Sequence, residues 1–227
     1  MAVDMFHCNE IARAIRLVCQ GATALTADLS GGTHVSVGSN RLFSTGDGVR
    51  LRDSEGAETA TVAQTIGLTT VVLDAEPAGE YLVGRGARLE RLGTDLPALE
   101  WVGQGSPELM PRSPAERYPC VLVRPSVMRQ PPGEGSNRTV QQDYHFDVYY
   151  VERYEEGQQA NINVLERAGA IFNAIMSDSY LGGTCWHSQV IEVDAEPGEQ
   201  KRLRETERPL RVVKMTVLAR RAEVLTR

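Results

Sequence analysis

Residues 139–154, TVQQDYHFDVYYVERY, followed by residues 159–177, QANINVLERAGAIFNAIMS, decide the fold. In the first stretch Tyr144, Phe146, Val148 and Tyr150 alternate with His145, Asp147, Tyr149 and Val151. Alternation of this length predicts a β-strand with one apolar and one mixed face. In the second stretch Ile162, Leu165, Gly169, Phe172 and Met176 form one stripe at helical spacing. Val164, Ala168, Ile171 and Ile175 form the adjoining stripe. A helix of about 17 residues spans roughly 25 Å, enough to cross a four-stranded sheet. Strand and helix together predict a sheet covered by a helix, with Phe172 buried against the sheet.

The flanking segments extend this layer. Residues 118–128, YPCVLVRPSVM, read as a strand. The proline- and glycine-rich loop Gln130-Pro131-Pro132-Gly133-Glu134-Gly135-Ser136-Asn137 joins it to the 139–154 strand as a long hairpin with a protruding tip. After the helix, Ser179-Tyr180-Leu181-Gly182-Gly183-Thr184 reverses the chain. Residues 185–194 and 208–221 then read as strands that close the sheet, joined by the polar loop AEPGEQKRLRETE. At the other end, Asp4 or Asn9 is expected to cap a helix carrying Ile11, Ile15, Val18 and Cys19, with Gly21 as its stop.

Residues 33–93 differ in kind. Short β-branched runs (Thr59, Thr61, Val62, Thr65, Thr69, Thr70, Val71, Val72) are punctuated by Gly48, Gly56, Gly67 and Gly79. Asp47-Gly48 is the sharper hairpin signal and Ser54-Glu55-Gly56 the looser one. This pattern predicts a small antiparallel barrel of about five strands. A unit of some 60 residues buries only about 60% of its unfolded surface and is expected to lean on the rest of the chain. Residues 92–119 read as an irregular connection, with a helical turn at Pro97-Ala98-Leu99 and Trp101 plugging a domain junction. The expected fold is thus α+β: an antiparallel or mixed sheet packed by two helices (1–32 and 94–227), with a small antiparallel β-barrel domain (33–93) inserted.

The chain has 227 residues, 41% hydrophobic and 24% charged, which is an ordinary globular composition. No apolar run approaches the roughly 18 residues that span a bilayer, so no membrane association is expected. MAVDMFHCNE carries no basic leader, so a secretory signal is not expected. Cys8, Cys19, Cys120 and Cys185 lie too far apart for a disulfide framework or a zinc site, which favours a reducing compartment. The net charge of −6 is unevenly spread: residues 201–227 hold nine bases and three acids, and the first 200 hold 15 bases and 27 acids. An acidic body is a poor wrapper of nucleic acid. An acidic body with a basic end can dock on a copy of itself, and the plainer reading is that arginines keep a sheet edge soluble.

No catalytic constellation emerges, and the chain is not read as an enzyme. Gly84-Arg85-Gly86 lacks the third glycine and the helix of a dinucleotide site, and neither a phosphate-binding loop nor a G-x-S-x-G elbow occurs. His145 with Asp147, and Cys185 with His187, have the two-residue spacing of metal ligands on a strand. They would converge only on neighbouring strands, and no metal or other cofactor is expected. Glu155-Glu156 and the acids around Asp194 and Glu196 lie in polar turns, where solvated charge is the plain account. Tyr149, Tyr150 and Tyr154 beside Arg153 suit an aromatic sheet face better than base stacking.

In their order, the N-terminal helix, Tyr118-Pro119, the Tyr144 to Val151 strand, the Ile162 to Met176 helix and the Leu181-Gly182-Gly183-Thr184 turn resemble the tail terminator (tail completion) proteins of long-tailed bacteriophages. More broadly they resemble phage neck proteins. The resemblance covers roughly residues 5–25 and 97–224, and the 33–93 insertion exceeds the usual family size. It implies a homohexameric ring at the head-proximal end of the tail tube, contacting the tail tube protein on one side and the head connector or stopper on the other. DNA would only pass through the lumen. The location implied is the virion neck, with the host cytoplasm during assembly. Head closure or another connector role is the related alternative, and a β-barrel binding module unrelated to phage is the distant one. The expected subunit and partner contacts are Gln130, Pro131, Glu134, Asn137 and Arg138 at the hairpin tip, and Lys201, Arg202 and Arg204 in the basic loop.

Overall fold

The computed structural model describes residues 5–105, 118–129, 139–153, 158–194 and 210–224. It is a mixed α+β fold, mostly sheet, with two long helices. Helix α1 (Met5–Val18) buries Cys8, Ile11, Ala12, Ile15 and Val18 on one face. It ends at Gly21, whose left-handed φ of 68° L side chains rarely adopt. Asn9 lies inside this helix rather than at its start, because the helix begins a turn earlier, at Met5. Asp4 lies outside the described residues.

Strands β1 (Ala22–Ala24), β2 (His34–Ser36), β3 (Gly48–Arg52), β4 (Ala57–Ile66), β5 (Thr70–Leu73) and β6 (Arg88–Arg91) form one antiparallel sheet in the order β1-β6-β3-β4-β5-β2. The sheet curls until its two edges meet at the Leu25–Val37 bridge. Val35, Val49, Leu51, Val62, Val71, Leu73 and Leu89 fill its interior. It has six strands rather than about five, since Ala22–Ala24 precedes the β-rich stretch. The expected turn strengths are reversed. The β3–β4 hairpin closes at Asp53, whose carboxylate accepts the N–H groups of Glu55 (2.8 Å) and Gly56 (3.0 Å). Asp47 instead accepts the Ser44 N–H at 2.7 Å and an ion pair from Arg91 at 2.9 Å, while Gly48 opens β3. An acid followed by glycine is as useful for entering a strand as for turning between two.

Strands β7 (Trp101–Gln104), β8 (Cys120–Arg129), β9 (Thr139–Arg153), β10 (His187–Asp194) and β11 (Leu210–Val224) form the second sheet, in the order β10-β11-β9-β8-β7. Only β7 runs parallel to its neighbour. Four residues with a central glycine gave no strand signal in the sequence, and no helical turn forms at residues 97–99. Trp101 does not plug a junction. It packs on the outer sheet face with Cys120, Leu122, Tyr149, Val151 and Leu210. Gly103 makes room for its ring, since a Cβ there would lie 2.3 Å from it.

The β9 alternation is realised residue by residue. Tyr144, Phe146, Val148 and Tyr150 join the main core with Val213, Met215, Val217 and Ala219 of β11. Helix α2 (Gln158–Ser177) lies on that face through Val164, Ala168, Ile171 and Ile175. The other stripe faces outward: Leu165 and Met176 are 40% and 42% exposed, and Phe172 is only partly buried, not beneath the sheet as expected. Two adjoining stripes of similar apolarity cannot be ranked by spacing alone.

The two sheets share one hydrophobic cluster with both helices. Backbone meets backbone at Gly38, where a Cβ would sit 2.0 Å from the carbonyl oxygen of Gly182, in the turn before β10. A Cβ on Gly183 would sit 2.8 Å from the Gly38 carbonyl oxygen. Leu181, Gly182 and Gly183 have φ of 45°, 61° and 78°, a run of left-handed residues that carries the chain off α2. Asp178, fully buried, fixes the run by accepting the Gly182 N–H at 2.8 Å.

Gly38→Ala is expected to lose about 3 kcal/mol or more in urea unfolding, because the methyl meets backbone that cannot yield. Gly56→Ala, in open space, serves as the near-neutral control. On α2, Ile171→Ala is expected to cost about 2–5 kcal/mol and Leu165→Ala less than about 1 kcal/mol. Equal effects at the two positions would mean that the buried face is assigned wrongly.

Candidate interaction surface

The outer face of the five-stranded sheet is apolar near Trp101 and charged farther along. Asp147 of β9 is nearly buried and lies between Arg124 of β8 (2.6 Å) and Lys214 of β11 (3.2 Å), and the Tyr149 hydroxyl donates to it at 3.2 Å. Burial alone would raise the Asp147 pKa, but the hydrogen bonds and charges of Arg124 and Lys214 outweigh it and hold the carboxyl below its ordinary value. The Arg124 guanidinium also lies 5.6 Å from the centre of the Tyr149 ring. Asp143 pairs with Arg220 at 3.4 Å. The two carboxylates and three cations form an ionic lattice with one net positive charge.

That lattice accounts for the residues with metal-ligand spacing. His145 and Asp147 sit on β9 and His187 on β10, with β11 between them, so the strands are not neighbours. Cys185 is buried with its thiol toward the Ser179 carbonyl oxygen at 3.9 Å, and burial, reinforced by Asp178, pushes its pKa up to about 12. Among the described residues no group of three His, Cys, Asp or Glu side chains is placed to hold a metal. Tyr149 and Tyr150 point to opposite sheet faces, so they cannot form one stacking platform. The Tyr150 hydroxyl donates to Glu152 at 2.8 Å, and burial with that carboxylate raises its pKa. Arg167 of α2 completes the cluster by pairing with Glu152. Asp194 is exposed at the end of β10, while Glu155, Glu156, Glu196 and Tyr154 lie outside the described residues.

The eight residues expected to make subunit contacts also lie outside the described residues: Gln130, Pro131, Glu134, Asn137 and Arg138 in 130–138, and Lys201, Arg202 and Arg204 in 195–209. Two other surfaces stand out, neither marked by a sequence motif. One is the margin formed by α2 and the edge strand β10, where Leu165, Met176, Ile191 and Val193 are each 40% exposed or more. The other is a cleft of about 350 Å³ between α1, β1 and the Gly182-Gly183 turn. Its walls are mixed, with Ala14, Leu17 and Ala22 beside Thr23 and Thr184, and its rim carries Glu10, Arg13 and Arg221. Arg221 donates to Glu10 at 2.9 Å and to the Thr184 carbonyl oxygen at 3.3 Å. Burial raises the Glu10 pKa, but His7 and Arg221 together hold it below its ordinary value. No helix among the described residues is long and apolar enough to cross a membrane.

The lowered Asp147 pKa sets a pH dependence. Its stabilisation is complete above the unfolded carboxyl value, about 4, and is lost as pH falls through the lower folded value. Asp147→Asn leaves two cations without their anion and is expected to cost about 1–3 kcal/mol at neutral pH. The gap from the wild type should close on acidification below about pH 4. A gap independent of pH in denaturant titrations would show that the ion pairs contribute nothing.

No protein-family model matches the chain, and no curated protein matches it significantly.

Proposed function

We propose that the chain is a structural subunit of the neck of a long-tailed phage, assembling into a hexameric ring that ends the tail tube and meets the head connector while DNA passes through. The observation that carries this reading is the apolar margin of α2 and β10. Leu165 and Met176 of α2 and Ile191 and Val193 of β10 stand exposed, and the Met176 sulfur lies against the β10 backbone at Val190. Exposed apolar surface on the edge of a sheet calls for a partner. The succession of α1, the β8–β9 hairpin, α2, the double-glycine turn and two closing strands supports the terminator role, since it matches the order on which the resemblance rests. On this reading the buried ionic lattice around Asp147 is structural, and no step of chemistry is assigned to it.

A head-closure ring is the nearest alternative and shares the same surface. The binding-module reading would instead use the tip of the β4–β5 turn, where Ile66 and Leu68 are exposed. Sedimentation velocity of the purified full chain, from micromolar to submillimolar concentration, separates a ring from a module. The expected result is a species of six subunits that grows with concentration. A monomer throughout would overturn the ring reading.

A further inference from the structure

The two unassigned surfaces lie at opposite ends of the same strand. The cleft opens beside Thr184, just before β10, and the exposed margin ends at Asp194, its last residue. The eight residues of β10 place those ends about 23 Å apart. Up to Val190 the outer edge of the strand is covered. The Ser188 N–H donates to the Ser179 carbonyl oxygen at 2.7 Å, and the Val190 N–H to the Met176 sulfur at 3.3 Å. The cover stops at the bulge between Val190 and Glu192. Beyond it Ile191, Glu192, Val193 and Asp194 are all exposed, two apolar residues alternating with two acids. Neither acid makes an ion pair among the described residues. Other acids, such as Glu58, Asp74 and Glu76, are occupied by backbone N–H groups of Ala78, Thr61 and Gly32.

The cleft offers the complementary set. Ala14, Leu17 and Ala22 line its wall, and Arg13 on its rim is exposed and makes no ion pair among the described residues. Arg221 is occupied by Glu10, so Arg13 is the rim cation left for an incoming carboxylate.

We propose that the Ile191–Asp194 strand end of one copy seats in the α1 cleft of the next, its apolar side chains against Ala14 and Leu17 and its acids toward Arg13. This contact rests on the ring reading above and names the surfaces that make it. It joins unlike patches, so wherever two copies do not make it reciprocally it passes from copy to copy. Such a head-to-tail contact closes into a ring or continues as a filament. Opposite charges at its rim set register and suppress wrong pairings.

Charge reversal tests it in the full chain. Asp194→Arg and Arg13→Asp are each expected to raise the concentration for half-assembly at least tenfold, with unchanged thermal melting, because neither side chain holds the fold. The double variant D194R/R13D restores the pair at every contact and is expected to recover assembly. A chain carrying Arg13→Cys and Asp194→Cys should give a ladder of disulfide-linked multimers, the four native thiols being buried. Single variants that assemble like the wild type would overturn this contact and leave the ring reading standing. Impaired single variants without recovery in the double variant would overturn the Arg13–Asp194 pairing. A wild-type chain that never assembles would overturn the ring reading and this contact with it.

Discussion

The contact between Gly38 and the Gly182-Gly183 turn is the constraint on which the rest of the molecule depends. It brings the curled sheet and the five-stranded sheet together backbone to backbone, with no side chain between them. The run of left-handed residues from Leu181 to Gly183 makes that approach possible, and buried Asp178 holds it by accepting the Gly182 N–H. The same turn sends the chain from α2 into β10, buries Leu181 in the common core and forms one side of the α1 cleft. A side chain at Gly38 or Gly183 would therefore displace the small sheet, the start of the edge strand and the cleft together.

With the core closed in this way, the polar groups divide into two kinds. Around Asp147 and Asp143, charges on β8, β9 and β11 pair with one another across neighbouring strands, where cross-strand pairs stabilise the sheet. On α1 and at the end of β10, Arg13, Glu192 and Asp194 make no ion pair among the described residues, and Lys214, which stands opposite Asp194, is paired with Asp147. The first group specifies how strands register within one copy. The second is left for contact between copies, which is where the proposed ring would draw its orientation.

Much of this was legible in the sequence, and the unread parts share a cause. Alternation over Tyr144 to Val151 identified the central strand and both its faces, because a period of two is unmistakable over eight residues. The same logic could not choose between the Ile171 and Phe172 stripes of α2, which differ by one residue in phase and little in apolarity. Strand β7 and the early strand Ala22–Ala24 went unread because three or four residues carry no periodicity. The metal-ligand spacing of His145, Asp147, Cys185 and His187 left their convergence open for another reason: spacing along a strand says nothing about which strand lies beside it, and β11 lies between. The cleft and the exposed strand end could not be foreseen at all, since Arg13 and Asp194 are 181 positions apart and acquire meaning only from placement.

Electron microscopy of the purified, assembled protein tests the central claim most directly. Class averages are expected to show closed rings of six copies around an open centre, every copy related to the next by the same head-to-tail step. Two-fold particles, or rings whose subunits meet through other surfaces, would contradict the account.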